Sequence, residues 1–282
     1  MSRTYRYDLN ASKLQRGDLQ LEVREVGIAF GGLQALESVS LAVRQGDIHA
    51  LIGPNGAGKT SLLNCVSGLY RPQSGSIVLH DGVPAHELTH LRPSAIAALG
   101  VARSFQNIEL FKHMTVLDNL MLGRHVHMKQ RVLASLVFFG PARRQEIEHR
   151  ELVEEVIDLL EIEAVRRRTV DSLAYGVRKR VELGRALCMQ PSLLLLDEPM
   201  AGMNAEEKED MARYVLDVNE LAGVTTVLVE HDMGVVMDIS TRVTVLDFGR
   251  VIADGTPDEV SRDPAVVRAY LGEAAAGEPQ PA

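Results

Sequence analysis

A gap-free phosphate-binding loop between a strand and a helix constrains this chain more than any other feature of its sequence. The loop fits the pattern G-x-x-x-x-G-K-[ST], whose glycines let the backbone approach phosphate oxygens closely. Its residues are Gly53, Pro54, Asn55, Gly56, Ala57, Gly58, Lys59 and Thr60. The run 48–52 before it reads as a short buried strand, and apolar residues at helical spacing follow it. The pattern predicts an α/β fold that binds a nucleoside triphosphate.

Each part of the loop has its own task in holding phosphate. Consecutive backbone N–H groups curl around the oxygens, and the N-terminus of the next helix adds partial positive charge. We expect Lys59 to place its charge at the β and γ phosphates, Thr60 to offer its hydroxyl to Mg2+, and Ser61 to join the nucleotide contacts. An ordinary glycine-rich turn before a helix is the alternative. The Lys-Thr pair and the flanking elements favour the phosphate loop.

A second acidic site follows the leucine run 193–196. Asp197 and Glu198 end this predicted buried strand, the place from which a carboxylate reaches the magnesium shell in phosphate-loop enzymes. We expect Asp197 to hold the metal through water and Glu198 to polarise the water that attacks the γ phosphate. A positioned general base contributes about 100-fold to 10,000-fold in rate. The alternative, two carboxylates exposed in a turn before Pro199, fits poorly after four leucines.

The segment before the acidic strand distinguishes the classes of phosphate-loop protein. The run L-A-Y-G-V at 173–177 precedes a predicted helix over 178–189, which Pro191 ends. With its motifs in this order, the chain resembles the nucleotide-binding subunits of ATP-binding-cassette (ABC) transporters, whose signature L-S-G-G-Q lies at the same place. Leu173 and Gly176 match that signature. The resemblance covers about residues 19–272.

Further positions match the same family. Gln106, within S-F-Q-N, looks like the Q-loop glutamine, and His231 looks like the switch histidine, which can donate a hydrogen bond to the γ phosphate. Phe30 lies where the family has an aromatic residue that stacks on adenine, although an aromatic in such a strand can simply pack in the core. The resemblance implies ATP and Mg2+ as cofactors. It places Thr60, Gln106 and Asp197 around the metal.

The family resemblance also implies two nucleotide-binding subunits that meet head to tail, each phosphate loop closing on the signature of the other. The residues that would act on the partner's ATP are Leu173, Ala174, Tyr175 and Gly176. This chain departs from the family at three positions, because Ala174 replaces the signature serine, Val177 its glutamine, and Asn204 the aspartate that ends the D-loop. We therefore expect an asymmetric pair with a second, different ATPase subunit. A switch or scaffold that hydrolyses little is the alternative, and the retained Glu198 and His231 argue against it.

Composition narrows the function further. A formal net charge of -8 over 282 residues argues against a nucleic-acid binder, which needs a basic footprint. Cys65 and Cys188 are far apart and apolar in context, as expected of reduced core cysteines in a cytosolic protein. The polar N-terminus does not resemble a signal peptide, and no segment approaches the roughly 20 apolar residues of a membrane helix. In transport, other chains would have to span the bilayer.

The order of predicted elements indicates an ABC-type nucleotide-binding domain of the P-loop NTPase class. Alternating apolar residues over 19–47 predict an antiparallel β subdomain, and a 3.6-residue stripe from Ile147 to Leu160 predicts part of an inserted helical subdomain at about 108–175. We expect the ATPase domain to span 19–272. Residues 1–18 are expected to form a flexible tail, and residues 273–282 a disordered one.

The stretch 129–144 is apolar between basic flanks and too short to span a membrane. Three interpretations remain open. It packs within its own subdomain, it contacts a membrane partner, or it lies on anionic headgroups as an amphipathic element.

Within the ABC superfamily, the chain resembles the ATPase of branched-chain amino-acid importers. The features that carry this are the insertion, the S-F-Q-N loop, the Y-G form of the signature, the run E-P-M-A-G-M-N at 198–204 and the ending Y-L-G at 270–272. The resemblance implies peripheral attachment to the cytoplasmic face of the inner or plasma membrane. It also implies two transmembrane permease subunits, an extracytoplasmic solute-binding protein and no nucleic-acid partner. Amides, urea and aromatic acids remain alternative solutes.

Overall fold

The computed structural model describes residues 12–82, 84–104, 110–126 and 141–276, with the side chains of 141–146 and 271–276 left aside. The chain divides into two compact units. Of the described residues, the sheet unit comprises those within 13–96, 195–198 and 225–276, and the helical unit comprises Ser12 and those within 97–194 and 199–224. Gln106 and the apolar core of the 129–144 stretch lie outside the described residues, so the predictions made for them are not examined by the structure.

The described strands, in chain order, are β1 (Leu19–Phe30), β2 (Leu33–Arg44), β3 (Ile48–Ile52), β4 (Ser74–Leu79), β5 (His86–Glu87), β6 (Val101–Arg103), β7 (Leu193–Asp197), β8 (Thr225–Val229), β9 (Arg242–Asp247) and β10 (Arg250–Gly255). The described α-helices are α1 (Lys59–Val66), α2 (Pro93–Ala98), α3 (Val116–Gly123), α4 (Pro141–Leu159), α5 (Tyr175–Leu187), α6 (Ala205–Ala222), α7 (Met233–Ile239), α8 (Pro257–Ser261) and α9 (Pro264–Ala276). Among them, no helix has both the length and the apolar character needed to cross a membrane.

The sheet unit contains the antiparallel sheet that the alternating pattern predicts, in the order β2-β1-β4-β5. Its β1 and β2 place alternate apolar side chains in the core, which is typical of a sheet with one solvated face. Residues 15–18, which the sequence places in a flexible tail, reach the turn after β2: Gly17 N–H donates to Gln45 O, and Gln45 N–H donates to Asp18 O.

A second sheet of the sheet unit runs in the order β10-β9-β3-β8-β7. β3 is parallel to both β8 and β9, whereas β10 returns antiparallel to β9. Every residue of β3, β7 and β8 is buried, as expected for strands covered on both faces. β6, which belongs to the helical unit, is the strand next to β7 in the sheet order. These sheets confirm the predicted α/β class with an antiparallel β subdomain.

The C-terminal helices pack on the second sheet. Residues of β3, β9, α7, α8 and α9 form one apolar cluster: Ala50, Ile52, Val236, Val243, Val245, Val260 and Val266. Thr256 caps α8 through a capping box with Glu259, and Pro257 takes the first helical position, as the sequence predicts. α9 continues to Ala276, four residues beyond the expected end of the ordered domain at Gly272. Residues 277–282 lie outside the described residues, so the expectation of a disordered tail stays a prediction.

The helical unit is built on capped helices. Thr115 caps α3 with Asp118, and Asn204 caps α6 with Glu207, each as a reciprocal capping box. The apolar stripe of α4 is buried as predicted, except at Ile147, whose exposed fraction is 48%. Ile147 lies five positions before Leu152, where a 3.6-residue repeat does not return to the same face. The predicted stripe was therefore too long at its N-terminal end.

Candidate functional site

Three strand ends of the sheet unit meet at one edge. β3 and β8 are parallel, with Leu51 opposite Val229. The N–H of Glu198, the residue after β7, donates to Val229 O over 2.9 Å, so β7 ends beside β8. Gly53 follows β3 directly, and His231 comes soon after β8. The phosphate loop, the acidic pair and His231 therefore emerge from the carboxyl edge of the sheet, where α/β folds bind ligands.

Two glycines of the loop occupy positions that no other residue fits. Gly53 has φ 144°, and a Cβ there would overlap the carbonyl oxygen of Leu246. Gly58 has φ 103°, and its Cβ would lie 2.5 Å from Ala35 O. Both conformations are open to glycine and strained for L-residues with a side chain. The loop is thus wedged between β2 and the β9–β10 hairpin, which explains why these positions are glycine.

Lys59 is held inside the loop. Its Nζ donates to Gly53 O over 2.7 Å and to Pro54 O over 2.9 Å, and only 6% of the residue is exposed. It is also the first residue of α1, so its ammonium adds to the partial positive charge of the helix N-terminus. Asn55, Gly56 and Thr60 are exposed. The loop thus combines a buried cation with accessible backbone, the arrangement that receives phosphate oxygens.

The two acidic residues differ sharply in environment. Asp197 ends β7 and is 1% exposed. Glu198 follows in a left-handed conformation, with φ 51°, and 17% of its side chain is exposed. A non-glycine residue with positive φ is uncommon, and such strain tends to gather at functional sites. The turn at Glu198 gives the two adjacent carboxylates different surroundings, one buried and one partly exposed.

Glu198 and His231 form a direct pair. His231 Nε2 lies 2.7 Å from Glu198 Oε1, and because a carboxylate only accepts, the imidazole N–H is the donor. The His231 side chain is 44% exposed. The next residue, Asp232, accepts from Val235 N–H and caps α7, which fixes the chain just after the histidine. The structure thus brings together two residues that the sequence places 33 positions apart.

Phe30 is the last residue of β1. It pairs with Leu33 across the β1–β2 turn and is 44% exposed. Its ring packs edge-on against Tyr70, with centroids 5.0 Å apart and an angle of 63° between the planes. Phe30 is therefore neither a core residue nor isolated, because one side of the ring is packed and the rest is accessible.

The signature residues open α5 in the helical unit. Leu173 is buried, and Ala174 is the N-cap of α5 without a side-chain hydrogen bond. Tyr175 Oη donates to Ala201 O over 3.1 Å. A Cβ on Gly176 would lie 2.5 Å from Oε1 of Glu207. The start of α5 is therefore in contact with the turn and helix that follow residue 198, which sequence reasoning did not predict.

The helix itself differs from its predicted limits. α5 begins at Tyr175, three residues before the expected start, and ends at Leu187. Its first turn therefore contains Tyr175, Gly176 and Val177, whereas Leu173 and Ala174 precede the helix. Backbone N–H groups at such a terminus are free of intrahelical partners, which suits them to an anion.

One supporting element was also missed by sequence reasoning. Gly249, in the turn between β9 and β10, donates its N–H to Ala57 O over 3.0 Å and accepts from Glu37 N–H over 2.8 Å. The hairpin around this turn was predicted, but its contact with the phosphate loop was not. Because hairpin signals describe only local pairing, nothing in the sequence indicates where the turn packs.

The oxygen donors at this edge suit a magnesium ion shared with a nucleotide. Thr60 supplies a hydroxyl at the start of α1, and Asp197 a carboxylate at the end of β7. Within the described residues, no group of three His, Cys, Asp or Glu side chains forms a metal site by itself. Mg2+ is usually held by one or two protein oxygens together with substrate phosphates and water. The donor set therefore fits that ion.

Comparisons with known proteins agree with this architecture. Residues 36–201 match the family described as ABC transporter, and residues 250–276 match the family described as branched-chain amino acid ATP-binding cassette transporter. The sequence is 39% identical to the high-affinity branched-chain amino acid transport ATP-binding protein BraF of Pseudomonas aeruginosa, over 90% of this chain and 98% of that protein. It is also 39% identical to LivG of Salmonella typhimurium, a protein of the same description, with the same coverage.

A solved structure with the same fold is a nucleotide-free ATP-binding cassette from an ABC transporter. It superposes with a TM-score of 0.76 at 29% identity, and the match covers 89% of this chain and 98% of that chain.

Proposed function

This chain belongs to the ABC transporter family, and we propose that it is the ATP-binding and ATP-hydrolysing subunit of an importer of branched-chain amino acids. The observation that supports branched-chain amino acids as the solute is the match of residues 250–276 to the family described as branched-chain amino acid ATP-binding cassette transporter. This segment comprises β10, α8 and α9, which lie outside the phosphate loop and the acidic strand. It therefore supports the solute class independently of the residues expected to act on ATP.

We propose that the phosphate loop holds the triphosphate. Backbone N–H groups of residues 53–61 surround its oxygens, and Lys59 exchanges its carbonyl partners in the loop for the β and γ phosphates. Phe30 stacks on the base with the accessible part of its ring. Thr60 would offer its hydroxyl to Mg2+ and Asp197 would hold the ion through water. Gln106, which lies outside the described residues, is expected to belong to the same shell. When bound, the metal neutralises charge that develops on the transferred phosphoryl group.

In this proposal, Glu198 accepts the proton of the attacking water. Its exposed carboxylate receives a hydrogen bond from His231 Nε2, so the pair can hold the water and the γ phosphate in one arrangement. His231 Nε2 then donates to the γ phosphate oxygen when the carboxylate turns to the water. Glu198 has a left-handed backbone and a partly exposed side chain, whereas the neighbouring Asp197 is buried.

Coupling to transport needs partners. We propose a second ATPase subunit of different sequence, two transmembrane permeases and an extracytoplasmic solute-binding protein, with this chain attached peripherally at the cytoplasmic face. ATP bound between two such subunits favours their closed pair, and hydrolysis releases it. Leu173, Ala174, Tyr175 and Gly176 would contact the ATP of the other subunit through the N-terminus of α5.

The test is solute-driven hydrolysis in the assembled transporter. The chain is purified with its permeases and sibling subunit in proteoliposomes, and ATP turnover and uptake are measured with leucine, isoleucine or valine outside. We expect these solutes and their binding protein to stimulate turnover and to be taken up. The Glu198→Gln variant should bind ATP normally, retain it in a stable dimer and transport nothing.

Two outcomes would contradict the proposal in different ways. Stimulation by an amide, urea or an aromatic acid, with none by the branched-chain amino acids, would reject the solute class and keep the ATPase. A Glu198→Gln variant that matches the wild type in turnover would reject the catalytic assignment and favour a nucleotide-binding scaffold.

A further inference from the structure

Near the end of β1, the side-chain amide of Gln73 makes backbone hydrogen bonds of the kind that a neighbouring strand would make. β1 pairs with β4 only as far as Gly27 and Ser74, so Ala29 extends beyond the ladder. The side-chain amide of Gln73 fills the gap, because Ala29 N–H donates to Gln73 Oε1 over 3.0 Å and Gln73 Nε2 donates to Ala29 O over 3.1 Å. Two such bonds continue the antiparallel pattern by one residue. They fix the backbone immediately before Phe30.

The same segment of chain also holds the Phe30 ring. Tyr70 lies three residues before Gln73, and its N–H donates to Asn64 O over 3.0 Å at the end of α1. Its ring meets that of Phe30 edge-on at 5.0 Å, the arrangement that aromatic pairs prefer. Both side chains are partly exposed, at 38% for Tyr70 and 44% for Phe30. Their contact therefore sets the direction of an accessible ring.

Phe30 is linked to the phosphate loop by backbone packing. Its partner Leu33 begins β2, and two residues further Ala35 O lies where a Cβ of Gly58 would come within 2.5 Å. α1 begins at Lys59 in the loop and leads, after its last residue Val66, to Tyr70. Phe30 is thus connected to the phosphate loop in two ways, through β2 and through α1 and Tyr70.

We propose that Tyr70 and Gln73 are positioning residues for the nucleotide base, acting through Phe30. This inference rests on the proposed function, in which Phe30 stacks on adenine. Gln73 sets the backbone of Phe30, and Tyr70 sets the plane of its ring. The phosphate subsite and the base subsite are then connected through α1 and the turn that follows it, so the distance between them is set before ATP binds.

The test separates contacts to the base from contacts to the phosphates. In the full-length chain, binding of ATP and of inorganic tripolyphosphate is measured for wild type, Tyr70→Leu, Tyr70→Phe, Gln73→Ala and Phe30→Ala. We expect Tyr70→Leu to weaken ATP binding about 2-fold to 10-fold, which is the size of an aromatic pair contribution. Tripolyphosphate binding should stay unchanged, because that ligand has no base. Tyr70→Phe, which keeps the ring, should match the wild type.

A structural role without positioning would give a different result, because it would weaken ATP and tripolyphosphate binding alike. That result, or unchanged ATP binding in both Tyr70→Leu and Gln73→Ala, would overturn the inference. In the double variant Phe30→Ala with Tyr70→Leu, we expect no loss beyond that of Phe30→Ala alone. A wild-type chain that binds neither ligand would instead reject the proposed function, and the inference with it.

Discussion

The imidazole of His231 and the carboxylate of Glu198 are joined by a 2.7 Å hydrogen bond at the carboxyl edge of the second sheet. Each side chain is placed by its own strand, β8 for the histidine and β7 for the glutamate, and the N–H of Glu198 bonds to Val229 O between the two strands. The pair is therefore set by backbone pairing as well as by its own contact. Any change that moves the end of β7 relative to the end of β8 should therefore alter the distance between His231 Nε2 and Glu198 Oε1.

Replacing His231 by alanine should slow ATP hydrolysis and leave ATP binding nearly intact. The variant loses the donor to Glu198 and to the proposed γ phosphate position, whereas the phosphate loop is unchanged. We expect kcat to fall about 100-fold or more, by the usual size of one positioned catalytic group. His231→Gln, which keeps an N–H donor, should retain more activity than the alanine variant. Steady-state hydrolysis with parallel ATP titration checks this, and an alanine variant with wild-type kcat would contradict it.

A methyl group at Gly53 should destabilise the fold more than one at Gly56. Both glycines have positive φ, but φ 79° at Gly56 lies close to the left-handed region, whereas φ 144° at Gly53 lies far from any conformation that alanine adopts readily. Gly53→Ala adds an overlap with Leu246 O, while a Cβ on Gly56 meets nothing within 4 Å. We expect an extra loss of about 1–3 kcal/mol in the free energy of unfolding for Gly53→Ala. Urea unfolding without nucleotide measures the difference, and equal losses in the two variants would argue against the packing seen here.

A hydroxyl at position 174 should raise turnover in the assembled transporter. Ala174 is the N-cap of α5 and makes no side-chain cap, so Ala174→Ser restores both a cap and the hydroxyl that the family signature carries. The cap alone should stabilise the chain by about 1 kcal/mol. Ala174→Gly serves as the matched control, because glycine caps nearly as well and has no hydroxyl. If the serine variant is more stable but no faster than the glycine variant, the missing hydroxyl does not limit hydrolysis.

Protonation of His49 should weaken the fold at acid pH. His49 is fully buried on β3, 2.8 Å from Thr244 Oγ1, and desolvation, with the nearby charge of Arg242, lowers its pKa from 6.5 to about 4. Between these two values the unfolded chain binds the proton and the folded chain does not. This contribution to stability is therefore complete above pH 6.5 and is lost as the pH falls towards 4. The loss amounts to about 3 kcal/mol.

Urea unfolding between pH 4 and 7.5 tests this linkage. The wild type should lose stability steadily as the pH falls through this range, and His49→Gln should show a smaller slope. An identical slope in wild type and His49→Gln would exclude His49 as the source.

Local sequence patterns predicted the structure correctly wherever a residue's conformation depends on its neighbours in sequence. The limits of β3 and the cap of α8 by Thr256 follow from apolar runs and turn chemistry. The start of α5 did not follow, because Tyr175 and Gly176 are weak helix formers and their helical conformation depends on contacts with Ala201 and Glu207.

The sequence alone determined the chemistry of this protein: a phosphate loop, an acidic strand and a histidine, in an order that identifies an ABC-type α/β fold. Only the tertiary structure decided that Glu198 and His231 touch, that Tyr70 and Gln73 hold Phe30, and that the turn at Gly249 supports the phosphate loop. The physical reason is that motif chemistry is encoded in adjacent residues. Contacts between distant segments depend on strand order and packing, which a local pattern does not specify.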